Sequence, residues 1–127
     1  MIYSFDAIRM PFDIDRKNLD SGIVVLAISG TMTMGNQVQK FEWDVEALIK
    51  NGHNRIVLDM SRTTYLDSSA VGILVACHGK TRESGGELRL AGITDRVKMI
   101  LTMTGVDQVL HLHPTNDEAV AAAVAKG

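Results

Sequence analysis

The sequence contains one cysteine in 127 residues, Cys77. A single thiol excludes an internal disulfide and fits a reducing compartment. No apolar run approaches the ~20 residues of a membrane-crossing helix, so no membrane span is expected. The first ten residues include Asp6 and lack a basic start followed by an apolar block, so they do not read as a signal peptide and a cytoplasmic location is expected. Neither sign of charge dominates. Thirteen Lys and Arg against fifteen Asp and Glu leave a formal net charge of -2, which argues against nucleic acid or an anionic membrane as the main partner. Internal repeats, low-complexity tracts and linkers between domains are also missing.

What remains is a chain of ordinary composition, 46% hydrophobic and 22% charged, and long enough for one domain with its own core. Residues 2–15 alternate unevenly, with Tyr3, Phe5, Ala7, Met10 and Phe12 able to line an edge strand that Pro11 would interrupt. Residues 16–22 read as a turn and residues 23–28 as a strand buried on both faces, ended by Gly30. Asn36 is placed to cap a helix in which Val38, Phe41, Val45, Leu48 and Ile49 recur at three- and four-residue spacing, closed by Asn51-Gly52. Trp43 lies off that stripe. It either packs under the N-terminal segment, the favoured reading for a large aromatic, or stands exposed for a partner.

Residues 55–59 form the next strand, and 61–64 read as loop. A helix over about 69–82 is apolar around most of its girth, so it is expected to be central, and Gly72 near its start suggests a close packing contact. Residues 87–90 alternate as a half-buried strand with Leu88 and Leu90 inward. Thr94 caps a helix striped by Val97, Ile100 and Leu101 and ended by Gly105. Residues 109–112 give a short last strand. Thr115 and Glu118 form a capping box for a terminal helix with Ala119, Val120, Ala123 and Val124 on one side. The order of strands and helices predicts an α/β layer sheet with right-handed crossovers, about five strands and about four helices.

The chain is organised around residues 56–74. A buried strand there leads through polar residues to Asp67, Ser68 and Ser69, which stand where a helix begins. Free backbone N–H groups and the helix dipole make that position favourable for a negative charge. On local sequence alone, the two serines read as helix caps. Asp67 is placed to orient the Ser68 hydroxyl.

The run Leu66-Asp67-Ser68-Ser69-Ala70-Val71-Gly72 resembles the STAS domain family, the anti-sigma factor antagonists of bacteria. Residues 23–30, Ile56-Val57-Leu58-Asp59, Gly85-Gly86-Glu87-Leu88 and residues 101–106 match it in the same order. The resemblance covers roughly residues 14–125, so residues 1–127 are read as a single STAS-like domain, with 1–13 an edge strand or an extension. It implies a small mixed sheet with helices mainly on one side, and no catalytic residue, metal or cofactor. It also implies phosphorylation of Ser68, the serine after the Asp, as a switch. Unmodified, the domain would hold an anti-sigma factor serine kinase; phosphorylated, it would release it, and a phosphatase would reset it. The implied partner-binding residues are Thr33, Met34, Asp67, Ser68, Ser69 and Val71, on a monomer or weak dimer. Two departures stand out: Ala70 replaces a frequent glycine, and the turn after Gly30 carries no acid. They leave open a scaffold or lipid-transport-complex subunit without phospho-control.

Enzyme readings are weaker. Asp59 as a phospho-acceptor lacks the acidic pair and the late lysine of a receiver domain, so a loop-bonding role is favoured. Ser68 as a hydrolase nucleophile lacks flanking glycines, since Leu66 and Ala70 occupy those places. His111 and His113 are too few for a structural zinc and read as a surface pair. Gly85-Gly86 lacks the rest of a phosphate-cradling loop. Met32, Met34, Met99 and Met103 are expected to fill core gaps, with Met32 and Met34 as an alternative partner surface.

Overall fold

The computed structural model describes residues 12–34 and 36–126, so the edge-strand expectation for Tyr3, Phe5, Ala7 and Met10 lies outside the described residues. Five strands form one sheet in sequence order: β1 (Asp13–Asn18), β2 (Val24–Met32), β3 (Arg55–Leu66), β4 (Glu87–Ala91) and β5 (His111–His113). Strand β1 pairs antiparallel with β2, and the remaining pairs are parallel. Parallel neighbours require crossovers, and these are α1 (Asn36–Lys50), α2 (Ser68–Glu83) and α3 (Asp95–Met103). A 3-10 turn (Val106–Gln108) precedes β5, and α4 (Asn116–Lys126) ends the chain.

The sheet separates two cores of unequal size. Helices α1, α2 and α3 cover one face with Val38, Phe41, Val45, Leu74, Cys77, Val97 and Leu101, packed on Leu26, Ile28, Ile56, Leu58, Met60, Leu88 and Leu90. Helix α4 covers part of the other face through Ala119 and Ala123, set against Ile23, Val57 and Ala91. Strands with apolar side chains on both faces follow from this, and so does the mixed sheet with helices mainly on one side. Lys80 fastens α2 to α1 by pairing with Glu42 (3.0 Å) and Glu46. Burial pushes the Cys77 thiol up to about 12, with Glu42 adding to the effect, so it stays protonated and inert.

Several boundaries differ from expectation. Strand β2 does not stop at Gly30. Its register against β3 shifts between Ala27 and Ser29 and again between Gly30 and Thr31, and Gly30 takes a φ of 91° that a side chain would resist. The polar residues 61–64 are strand rather than loop. They pair with β2, and the buried Thr63 donates its hydroxyl to the Ile28 carbonyl at 2.8 Å. Residues 16–18 belong to β1, which confines the turn to the Leu19–Ile23 closure. All of β4 is buried, Glu87 and Arg89 included, because α4 covers its second face. The last strand starts at His111 because the 3-10 turn takes up the preceding segment. Asn36 is the first residue of α1, and its side chain lies outside the described residues.

Gly86 is fixed by contact: a Cβ there would sit 1.9 Å from the Asn54 carbonyl oxygen, which accepts from the Glu87 amide at 2.9 Å. That close approach aligns the starts of β3 and β4. Gly72 behaves in the opposite way. A Cβ there meets nothing within 4 Å among the described residues, so none of these supplies the close packing contact expected from the sequence.

Candidate functional site

Strand β3 reaches past β4. Arg55 to Asp59 pair with β4, while Arg62, Thr63, Tyr65 and Leu66 pair with β2 and, among the described residues, have no strand on their other side. This overhang carries the start of α2 beyond the body of the sheet. Asp67 is the N-cap, and one of its oxygens accepts from the Ala70 amide at 2.9 Å. The other accepts from the Met34 amide at 2.7 Å, and the Asp67 amide donates to the Met32 carbonyl at 3.1 Å. One carboxylate thus caps the helix and ties the end of β2 to it.

Ser68 is therefore the first helical residue and not the cap. It is exposed, and its hydroxyl makes no hydrogen bond among the described residues. Asp67 makes no hydrogen bond to that hydroxyl among the described residues; its two oxygens accept from the Ala70 and Met34 amides. Ser69 is half-buried in the first turn and caps nothing, because Asp67 has taken that role. Val71 is only 6% exposed and belongs to the large core, so its side chain offers little surface to a partner. Thr33 is half-buried and Met34 is 74% exposed.

Several large apolar side chains on β3 and α3 are more exposed than the sequence suggested. Tyr65 is exposed three residues before Ser68, and the Arg96 guanidinium lies over its ring, 5.4 Å from the centroid. Met99 and Met103 are 60% and 79% exposed on α3, one and two turns beyond Arg96. The expectation that these methionines fill core gaps holds only for Met32, which is fully buried. A signal was available: Met99 and Met103 are four apart and out of phase with the Val97–Leu101 stripe that the structure buries. Along α2, Ser68, Gly72 and Ala76 follow at four-residue spacing and are all exposed. Trp43 is also 60% exposed, on α1; the favoured packing reading invoked residues that lie outside those described.

The other titratable clusters serve the fold. Asp59 accepts from the Ser61 amide (3.1 Å) and hydroxyl (2.7 Å) and from the Asn116 side chain (3.0 Å), which ties the start of α4 beneath β3. Burial raises its pKa, but these hydrogen bonds and the charge of Arg62 outweigh it and hold the carboxyl below its ordinary range. His113 contacts Arg89, and His111 stacks edge-on against His78 with ring centroids 5.6 Å apart, so the two histidines are not a free surface pair. Among the described residues, no three His, Cys, Asp or Glu side chains are grouped to hold a metal ion, and no helix is long and apolar enough to cross a membrane.

The model of the STAS domain matches residues 16–119. A Thermotoga maritima protein named as an anti-sigma factor antagonist is 24% identical over 98 residues, covering 77% of this chain and 87% of its own length. A crystal structure from the same organism, described in the same terms, superposes with a TM-score of 0.79 at 24% identity, over 87% of this chain and 93% of that one. The Bacillus cell fate determinant SpoIIAA in its phosphorylated form superposes with a TM-score of 0.68 at 17% identity, over 87% and 98% of the two chains.

Proposed function

Because the chain belongs to the STAS domain family, we propose that it is an anti-sigma factor antagonist that binds an anti-sigma factor serine kinase when unmodified and releases it when Ser68 is phosphorylated. The reading rests on one observation above the rest: the Ser68 hydroxyl stands exposed and unengaged at the first turn of α2. The names of similar proteins support it, and so does the fold shared with a protein known in a phosphorylated form.

The physical account needs no refolding. A phosphate adds about -1.5 to -2 charge, and the first turn of a helix tolerates it. Asp67 is already committed to the Ala70 and Met34 amides, so the cap keeps its bonds while the surface changes sign. A docked protein with an acidic or apolar face at Ser68 does not tolerate it. One like-charge contact at ~4 Å costs about 4 kcal/mol at an effective dielectric near 20, roughly a thousandfold in affinity. Exposed Met34, whose amide is held by Asp67, and exposed Tyr65, three residues before Ser68, offer apolar contact beside the helix start. Gly72 and Ala76 lower the surface of α2, which lets a partner's backbone come close.

The test uses purified anti-sigma factor kinases from the source organism. With kinase and ATP, the intact mass of the chain should rise by about 80 daltons, one phosphate, and Ser68→Ala should abolish the gain. In calorimetry, Ser68→Asp should bind at least a hundredfold more weakly than the unmodified protein, while Ser68→Ala should bind like it. Equal binding by both variants would refute the switch. Treatment with a serine phosphatase should restore binding to the phosphorylated protein.

A further inference from the structure

At the opposite edge of the sheet from β1, a buried run of charge joins β4 to β5. Arg89 donates through Nε to Glu87 on its own strand, and its Nη1 lies 2.9 Å from Nε2 of His113 on β5. A guanidinium only donates. His113 Nε2 must therefore be the acceptor, which fixes this imidazole as neutral with its proton on Nδ1. The contact cannot survive protonation, because a second proton on Nε2 would set two cations against each other at hydrogen-bond distance. Next to it, His111 stacks on the buried His78, whose Nδ1 has no hydrogen-bond partner among the described residues.

Besides this contact, the segment is fastened by the Gly92 amide, which donates to the His113 carbonyl at 3.1 Å, and by Leu110 and Leu112 on the large core. Strand β5 pairs at only three positions with β4. Helix α4, which follows after Pro114 and Thr115, is held by Ala119 and Ala123 on the small core and by Asn116 on Asp59. We propose that β5 and α4 form a proton-operated latch: neutral His113 closes it on Arg89, and protonation of His113 undocks the strand and its helix from β4 while the three-helix face stays folded.

The charged neighbours favour this outcome. Glu87 on β4 and Glu118 on α4 face His113 and partly offset Arg89, but Glu87 is already paired with that arginine. Asp95 and Lys98 of α3 border the same groove and oppose each other in sign. Around His111 and His78 the facing cations are Arg89 and Arg82, with Glu87 as the carboxylate. Burial first and Arg89 second hold His113 below the ordinary imidazole range, and burial lowers His111 and His78 in the same direction. The sign follows. Below a pH of about 6.5 the released segment takes up protons that the docked one resists, so docking is complete above that pH and weakens as the pH falls through it.

Amide hydrogen exchange on the full chain at about pH 7.5 and pH 5.5, corrected for intrinsic rates, tests the latch. Protection at Leu112, His113 and Ala119 to Ala123 should drop several-fold, by at most about tenfold, at the lower pH, which lies about one unit below the imidazole pKa of the released segment, with α1 unchanged. His113→Gln keeps a neutral acceptor for Arg89 and should remove most of the drop. A drop that persists in His113→Gln, or one spread equally over α1, overturns the proposal. In the wild-type protein, imidazole nitrogen shifts should report the Nδ1-protonated tautomer of His113 with a midpoint below 6.5; the Nε2-protonated form overturns it independently of any variant.

Discussion

The body of the sheet and its overhanging rim are built on opposite terms. In the body, β3 lies between β2 and β4 with Ile56, Leu58 and Met60 fully buried under Phe41 and Leu74. In the rim, the same strand has one neighbour among the described residues, its side chains alternate irregularly, and Ser68 beyond it is exposed. The body holds the apolar area that makes folding favourable. The rim holds exposed methionines, an arginine over a tyrosine and an unengaged serine, with a single carboxylate joining its parts. Stability and recognition are thus assigned to different stretches of one strand.

Three substitutions sharpen or break that division. Phe41→Ala, in the body, should cost about 3–5 kcal/mol in urea unfolding, yet leave the affinity of the folded fraction for a kinase partner unchanged. An accompanying loss of intrinsic affinity would mean the two regions are coupled. Asp67→Ala, at the joint, should cost about 1–2 kcal/mol for the lost cap and also weaken binding, because the Met34 segment is released. Gly72→Ala should raise stability by about 1 kcal/mol, since it improves helix propensity and meets no neighbour. If a partner's backbone does approach α2 there, the same change lowers affinity. A Gly72→Ala protein less stable than the parent would show that the glycine serves the fold after all.

The body was the more legible region. The stripes at Val38, Phe41, Val45 and Leu48 and at Val97 and Leu101 face the core as their spacing requires, and Thr94 and Thr115 accept from the Val97 and Glu118 amides as their capping positions suggest. Two kinds of information were hidden. Residues 61–64 look like loop because their polarity masks a pairing supplied by β2 from far away in the chain. The buried Glu87 and Arg89 look like the solvent side of a half-buried strand because nothing local announces that α4 returns to cover them. At the rim, the position of Ser68 could be read from its helix-start pattern, but not which neighbour caps. Aspartate, with two acceptor oxygens, serves two amides at once, and a serine has only one oxygen to offer.

The dual grip of Asp67 bears on how an enzyme would meet Ser68. A side chain in a rigid helical turn, locked to a neighbouring strand end, does not present an extended peptide to a catalytic cleft. An enzyme acting there has to recognise a folded shape, and a synthetic peptide covering residues 62–74 should make a poor substrate although it contains every local letter of the motif.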